Sequence, residues 1–206
     1  MMSRVVEASF VASVKSTGAL PPPTLAEVAF GGRSNVGKSS LLNALLGRHK
    51  LVRVGSTPGT TRSLNVFFAR MADGLCLHLL DLPGYGYARA SKKEKADWRG
   101  VVEGYLKGRV TLRAVVVLVD VRRGLEPDDL ALIDFVQNAG RTAQRPPVEV
   151  VLVATKTDKL PPSARKRAVE TIARQAGRRP VPFSAVTGEG TDVLWHALRA
   201  TICRTS

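Results

Sequence analysis

The chain alternates between short apolar runs and amphipathic stretches. Runs rich in Val, Leu and Phe predict buried strands at 28–30, 64–71, 75–80, 113–120, 148–154 and 180–183. Stretches with apolar residues three and four apart predict helices at 40–46, 98–106, 128–139, 161–176 and 191–202. Strands that alternate with helices in this way indicate a mostly parallel sheet with helices on both faces.

The sequence therefore predicts the α/β fold class, as three α/β/α layers around a six-stranded, mostly parallel sheet with one antiparallel strand. That strand should belong to a hairpin turning at Asp73-Gly74, between two apolar runs. Residues 1–24 end in three consecutive prolines and are predicted to be an N-terminal extension. Residues 25–206 are predicted to form a single domain, a size that suits one hydrophobic core.

The charge of the chain suggests a class of partner. Thirty-one Lys and Arg residues against 17 Asp and Glu residues leave a formal net charge of +14. Such an excess favours a polyanionic partner, above all a nucleic acid, bound through its backbone because no aromatic platform for single strands is evident. A merely soluble basic surface and an anionic membrane surface are the alternatives, and no basic amphipathic anchor supports the second.

Other features of the composition bear on location. No run approaches the ~20 apolar residues of a membrane span. The first 24 residues have no contiguous apolar core of a secretory signal, and the two cysteines are expected to be reduced thiols. The prediction is a cytoplasmic protein.

A glycine-rich motif, G-x-x-x-x-G-K-S, lies between the first predicted strand and the first predicted helix. Its backbone N–H groups should surround the α- and β-phosphates of a nucleotide, Lys38 should reach the β- and γ-phosphates, and the Ser39 hydroxyl should ligate Mg²⁺. The N-terminus of the following helix would face the same phosphates. The predicted phosphate-binding residues are Gly32, Arg33, Ser34, Asn35, Val36, Gly37, Lys38, Ser39 and Ser40.

The tetrad Thr155-Lys156-Thr157-Asp158 follows the apolar run 148–154 and fits the guanine-recognition pattern [NT]-K-x-D. A carboxylate at Asp158 can accept hydrogen bonds from N1–H and the exocyclic amine of guanine, a donor pair that adenine lacks. Lys156 would place its aliphatic chain along the base. Near the C-terminus, Phe183, Ser184 and Ala185 follow a short predicted strand, where the Ser-Ala backbone is expected to contact the guanine O6.

Two middle segments are predicted to complete the phosphate side. Asp81, Leu82, Pro83 and Gly84 end a predicted strand, so that Asp81 can hold Mg²⁺, directly or through water, while the Gly84 N–H approaches the γ-phosphate. The turn-rich segment 57–62 supplies Gly59, Thr60 and Thr61, and one of these threonines should complete the Mg²⁺ shell in the triphosphate state.

Four segments resemble the EngB (YihA/YsxC) family of bacterial GTPases. They are 32–41, Ser56-Thr57-Pro58-Gly59, Asp81-Leu82-Pro83-Gly84-Tyr85-Gly86-Tyr87-Ala88 and 155–160, and the third is the most specific. The resemblance implies a P-loop GTPase fold and a monomer that acts in assembly of the large ribosomal subunit, with a role in normal cell division and septation. Alignment on Pro58-Gly59 favours Thr61 over Thr60 as the Mg²⁺ ligand, although Thr60-Thr61-Arg62 departs from the usual family sequence. The predicted metal ligands are Ser39, Thr61 and Asp81.

The predicted chemistry is slow hydrolysis of GTP. Tyr85 stands where Ras-type enzymes place a glutamine that orients water, so catalysis would depend on Lys38, Mg²⁺ and groups supplied from outside. Asn35 matches an asparagine that helps hold K⁺ in related potassium-activated GTPases, so K⁺ is predicted to activate, against the alternative that Asn35 only shapes the loop. The predicted catalytic set is Lys38, Asn35, Thr61 and Gly84. The alternative function is a sensor of GTP and GDP without significant turnover.

Overall fold

A computed structural model describes residues 4–52, 63–85, 92–139 and 147–203, with backbone alone for 92–99 and 139. Seven strands and five helices lie in these ranges. The strands are β1 (Val5–Val14), β2 (Ala26–Gly32), β3 (Leu64–Met71), β4 (Cys76–Asp81), β5 (Leu112–Asp120), β6 (Glu149–Thr155) and β7 (Val181–Phe183). The helices are α1 (Lys38–Leu46), α2 (Lys92–Gly108), α3 (Pro127–Ala139), α4 (Pro162–Ala176) and α5 (Thr191–Ile202).

One sheet joins all seven strands in the order β1-β3-β4-β2-β5-β6-β7. β3 runs antiparallel to both of its neighbours, β1 and β4, whereas the pairs from β4 to β7 are parallel. The predicted α/β class, the mostly parallel sheet and the single antiparallel strand are confirmed. The hairpin between β3 and β4 turns at Gly74, whose φ of 88° lies in the left-handed region.

Side chains of β5 divide between the two faces of the sheet because successive residues of a strand point to opposite sides. Val115, Val117 and Val119 pack in a core with α2, α3 and α4. Val116 and Leu118 pack in a second core with α1 and α5. Helices therefore cover both faces, as the alternation along the chain predicted.

The strand count differs from the prediction of six. Residues 5–14 were assigned to an N-terminal extension, but they form β1 and pair with β3 along the sheet edge. Register shifts between Val5 and Glu7 and between Phe10 and Ala12 interrupt the two-residue alternation that marks a strand in sequence. Several β1 side chains are also exposed, including Phe10 at 52 %, which weakens the hydrophobic pattern further.

Candidate nucleotide-binding site

The predicted site residues meet at the carboxyl ends of neighbouring parallel strands. The glycine-rich loop follows β2, Asp81 ends β4, and Thr155 ends β6. Asp120 ends β5 and lies opposite Thr155 in the register of that pair. Ligands of open α/β sheets bind at this edge, because the connections after the strands converge there.

The backbone of the glycine-rich loop has the conformation that a phosphate cradle requires. Gly37 precedes α1 with a φ of 104°, which non-glycine residues rarely adopt, and Asn35 is left-handed with a φ of 62°. A Cβ on Gly32 would lie 2.8 Å from Val36 Cγ1 and 3.1 Å from Leu118 Cβ. The residue before α1 is Gly37, which has no side chain to cap the N-terminus of that helix. Its first N–H groups are therefore available to an anion.

Lys38, the lysine of this loop, forms a buried ion pair with Asp81. Its Nζ contacts Asp81 Oδ1, and the side chains are 9 % and 4 % exposed. The ammonium predicted for phosphate and the carboxylate predicted for Mg²⁺ thus neutralise each other. Loss of either partner alone would leave an uncompensated charge in a poorly hydrated site.

Tyr85 is held against the loop and against α3. Its carbonyl accepts a hydrogen bond from Ser34 N–H at 3.0 Å, and its phenol donates to Asp129 Oδ1 at 2.8 Å. The second carboxylate oxygen of Asp129 accepts from Glu126 N–H at 2.9 Å. Burial raises the pKa of the Tyr85 phenol well above its ordinary value, and burial also raises the pKa of Asp129. The phenol therefore serves a buried contact with α3.

The guanine motif has its carboxylate oriented by neighbouring side chains. Ser184 Oγ donates to Asp158 Oδ1 at 2.7 Å, and Lys159 Nζ lies 3.3 Å from Asp158 Oδ2. The hydrogen bond from Ser184 is the largest cause that lowers the pKa of Asp158 below its ordinary value. The carboxylate therefore stays ionised to lower pH than an ordinary Asp, and in that form it can accept from two donors of a base.

Thr155 and Lys156 join the base side of the site to the phosphate loop. Thr155 Oγ1 donates to the Val36 carbonyl at 2.7 Å. Lys156, whose φ of 62° is left-handed, places its Nζ 2.5 Å from the Asn35 carbonyl. The two motifs are about 120 residues apart in sequence. These contacts fix the distance between them.

Comparison with known proteins places this site in a family. Residues 27–156, more than half of the chain, match the family described as "50S ribosome-binding GTPase". The chain is 43% identical over 203 residues to "Probable GTP-binding protein EngB" of Myxococcus xanthus, covering 96% of this chain and 95% of that protein. The chain belongs to the EngB family of GTP-binding proteins. It is therefore a P-loop GTPase.

Two solved structures share the fold of this EngB-family chain. A crystal structure of a probable GTP-binding protein EngB superposes with a TM-score of 0.66 at 22% identity, covering 87% of this chain and all of that one. Era in complex with MgGDPNP and nucleotides 1506–1542 of 16S ribosomal RNA gives 0.68 at 25% identity. That match covers 88% of this chain and 58% of the Era chain.

Sequence reasoning did not identify Asp120, which belongs to the Lys156 end of the site. Asp120 Oδ2 lies 3.0 Å from Lys156 Nζ, and Arg122 binds both carboxylate oxygens at 2.9 and 2.7 Å. Burial alone would raise the pKa of Asp120, but the bonds from Arg122 and Lys156 hold it well below the ordinary range. A polar residue closing a β-strand next to the tetrad's strand is the signal that could have found it.

Glu189 is a second residue that the sequence did not reveal. Its Oε2 accepts from Thr157 Oγ1 at 2.7 Å and lies 3.3 Å from Arg165 Nη1, while its carbonyl accepts from Ser184 N–H at 3.0 Å. This acid therefore joins the tetrad, the turn after β7 and the first turns of α4. Ser184 was predicted to meet guanine through its backbone, but its N–H is bonded to Glu189 and its hydroxyl orients Asp158.

Three further sets of predicted residues lie at and after the end of β7, after β4 and in the segment 59–61. Phe183 is buried in the core with α1 and α5, whereas Ala185 is exposed. Leu82 N–H donates to the Phe30 carbonyl at 3.0 Å, which positions the segment leading to Pro83 and Gly84. Gly59, Thr60 and Thr61 lie outside the described residues, so the Mg²⁺ ligand from that segment stays a prediction.

None of the helices in the described ranges is both long and apolar enough to cross a membrane. No group of three or more His, Cys, Asp or Glu residues there could hold a metal ion by itself.

Proposed function

We propose that this chain binds GTP and GDP with Mg²⁺, hydrolyses GTP slowly, and acts as a nucleotide-dependent switch in assembly of the large ribosomal subunit. The observation that carries the proposal is the arrangement of the base side. Ser184 orients the Asp158 carboxylate by a hydrogen bond, while Thr155 and Lys156 bind the phosphate loop. The two donors of guanine would meet the two carboxylate oxygens of Asp158. The exposed Ala185 supplies the backbone N–H that is expected to contact O6.

The residues at the phosphate side fit a magnesium ion. Mg²⁺ prefers oxygen ligands and keeps several waters and phosphate oxygens in its shell. Ser39, in the first turn of α1, supplies a hydroxyl and Asp81, at the end of β4, supplies a carboxylate. Thr61 would add a second hydroxyl. The ion would neutralise charge on the phosphates. Lys38, now paired with Asp81, would turn to the β- and γ-phosphates.

Slow hydrolysis follows from the side chain after Gly84. The Tyr85 phenol is bonded to Asp129 and has no amide with which to orient a water as a glutamine does. Lys38 and the Gly84 N–H would stabilise charge on the transferring phosphoryl group, and Thr61 would join them when the triphosphate is bound. Asn35 is exposed at the rim of the loop, where its side chain is proposed to help bind an activating K⁺.

The ribosomal part of the proposal rests on the family description and on charge. The family that residues 27–156 match is named for 50S binding, and a net charge of +14 suits an RNA-rich partner. The protein would act in the cytoplasm, as a monomer, where subunits are assembled. A role in division and septation would follow indirectly from the supply of large subunits.

Co-sedimentation with separated ribosomal subunits tests the switch. The salt must be near physiological, since a protein this basic adheres to RNA in dilute buffer. We expect selective pelleting with the large subunit in the presence of a non-hydrolysable GTP analogue, and less with GDP. Equal, salt-sensitive pelleting with both subunits in both nucleotides would contradict the switch.

A sensor of GTP and GDP without significant turnover is the second candidate, favoured by the buried position of Tyr85. Multiple-turnover phosphate release with and without large subunits separates the two functions. Release that stays below one phosphate per protein in both conditions would favour the sensor. Release that continues beyond one turnover supports the GTPase switch.

Potassium activation has its own test. Turnover should be faster in KCl than in NaCl at equal ionic strength, and Asn35→Ala should remove the difference. Equal rates in both salts over a range of protein concentrations would eliminate the cation site while leaving GTP binding intact.

A further inference from the structure

The outward side of α4 carries an excess of cations. Lys166, Arg167, Arg174 and, just beyond the helix, Arg179 are exposed, and we call these four the α4 basic face. Within the described ranges, none of them has an acidic partner within 4 Å. Residues 161–180 contain six Arg and Lys residues and a single acid, Glu170. The other two cations are engaged elsewhere, since Arg165 meets Glu189 and Arg178 donates to the Val150 carbonyl.

Two of these charges, Lys166 and Arg167, are not placed to stabilise the helix, whereas Arg174 lies in the last turn, where a cation is favourable. The N-terminus of a helix carries a partial positive charge that favours anions, so cations in the first two turns gain no stabilisation from it. α4 has no acid in its first turn, yet Arg165, Lys166 and Arg167 follow one another near that end. By contrast, α3 begins with Asp128 and Asp129. The fold itself therefore offers no explanation for Lys166 and Arg167.

The composition of the face selects among polyanions. Arg167 and Arg174 are seven residues apart, which is two helical turns or about 10 Å along one side of α4. α4 contains no aromatic residue on which an unpaired base could stack. None of the exposed large hydrophobic side chains among the described residues lies on α4, so a membrane would gain no inserted apolar surface. Regularly spaced phosphates on a helical RNA match this face best.

We infer that the α4 basic face is a docking surface for the phosphate backbone of helical RNA in the large ribosomal subunit. This inference rests on the proposed ribosomal function and adds the surface that makes the contact. Lys166, Arg167 and Arg174 would bind phosphates along one strand, with Arg179 at the end of the row. Binding would follow shape and charge rather than base sequence.

The position of α4 predicts how docking depends on the nucleotide. α4 is tied to the base side through Arg165, Glu189 and Thr157. Guanine is present in both GTP and GDP, whereas the γ-phosphate would lie near Lys38 and Gly84. Docking through α4 should therefore add the same factor of affinity in both nucleotide states. Selectivity for GTP would come from other surfaces.

The test compares two variants that each remove three positive charges. One is Lys166→Gln/Arg167→Gln/Arg174→Gln on α4, and the control is Lys15→Gln/Arg48→Gln/Lys107→Gln, at exposed cations elsewhere. Affinity for isolated large subunits is measured from 50 to 200 mM salt with a GTP analogue and with GDP. Circular dichroism and nucleotide affinity establish that each variant is folded. If the triple α4 variant is not folded, the double variant Arg167→Gln/Arg174→Gln replaces it.

We expect the α4 variant to lose about 10-fold or more in affinity in both nucleotides, with a log–log salt slope smaller by about 2 to 3. The control should lose much less. Equal losses in the two variants, or loss of binding to phosphatidylglycerol vesicles with subunit binding unchanged, would overturn the inference. The wild type could bind large subunits equally with the GTP analogue and with GDP, while the α4 variant still loses affinity. That result would support the docking surface and refute the switch.

Discussion

The base side and the phosphate side of the nucleotide site differ in how their charged groups are held. On the base side, Asp158 accepts a hydrogen bond from the neutral Ser184 hydroxyl and forms an ion pair with the exposed Lys159. Its carboxylate remains an ionised acceptor. On the phosphate side, the buried Lys38 is bound by the carboxylate of Asp81. The carboxylate on the base side is already oriented to accept hydrogen bonds from a base. On the phosphate side, Lys38 would have to leave Asp81 before it could bind a phosphate.

This difference teaches that recognition and response are separated within one site. The base side is connected to the fold by Thr155, Lys156 and Glu189, so its geometry should persist in either nucleotide. The phosphate side holds its charges in mutual contact, and in the proposed function phosphates and a metal would replace that contact. Specificity should therefore depend on the first set of residues and nucleotide-dependent change on the second.

Asp158→Asn should have the largest effect on the comparison. Its amide N–H would face the donors of guanine, so GTP affinity should fall by about 10³ to 10⁴. Xanthine has a carbonyl where guanine has an amine, and XTP binding should increase. Fluorescent nucleotide titration measures both affinities, with Asp192→Asn at an exposed position as control. Unchanged preference for GTP would mean that Asp158 does not contact the base.

Lys38→Met should affect both binding and stability. It removes a charge-assisted contact to phosphate, lowering GTP affinity about 100-fold, and it leaves Asp81 buried without its cation. The free energy of unfolding of the nucleotide-free protein should fall by about 3 kcal/mol in urea titrations. Lys38→Met/Asp81→Asn should recover part of that loss but none of the affinity. Equal stability of wild type and Lys38→Met would show that the pair does not form in solution.

Thr155→Val tests the connection between the two sides. The substitution keeps the side-chain shape but leaves the Val36 carbonyl without its donor, so the free energy of unfolding should fall by about 1 to 2 kcal/mol. Nucleotide affinity should fall a few-fold because the loop is no longer fixed against β6. Thr201→Val, which removes a hydroxyl bonded within its own helix, is the matched control. A loss no larger than in that control would contradict the connection.

Ser184→Ala should produce the smallest effect at neutral pH and a larger one in acid. The pKa of Asp158 lies below its ordinary value chiefly because of Ser184, so the ionised acceptor persists as pH falls and is lost only through that lowered pKa. Without the hydroxyl the pKa rises, and GDP affinity should start to decline at higher pH.

Nucleotide titrations from pH 7 to about pH 3, through the ordinary pKa range of an Asp carboxyl, measure this shift, with circular dichroism to show that the protein is folded. Thr187→Val alters the same turn without removing the partner of Asp158. In that variant, GDP affinity should decline at the same pH as in the wild type. Superimposable pH profiles of wild type and Ser184→Ala would refute the role of Ser184.

Local sequence predicted most of the sheet and all five helices, because buried strands and amphipathic helices have distinct periods. Helix α2 was nevertheless placed at 98–106, whereas it begins at Lys92. The residues before 98 are mainly charged, so no apolar period marks them. β1 was missed for a related reason, since its bulges displace the alternation on which the prediction depends.

The candidate site likewise contains residues that short motifs predict and residues that only contacts between distant segments reveal. Gly37, Lys38 and Asp158 could be predicted as site residues because their chemistry requires fixed spacing within a few residues, and that spacing is visible in the sequence. Asp120 and Glu189 were not predicted because each contacts the guanine tetrad across more than 30 positions of sequence, Asp120 through Lys156 and Glu189 through Thr157. Their contacts exist only once β5 lies beside β6 and the turn after β7 closes on the tetrad.

The sequence by itself determined the motifs, their order and the alternation of strands and helices, since all three depend on neighbouring residues. Only the tertiary structure decided which charges neutralise each other, where the Tyr85 phenol points and which cations remain on the surface of α4. Those outcomes depend on burial and on pairing between distant segments, and the free energy of a charge is set by the groups that surround it after folding.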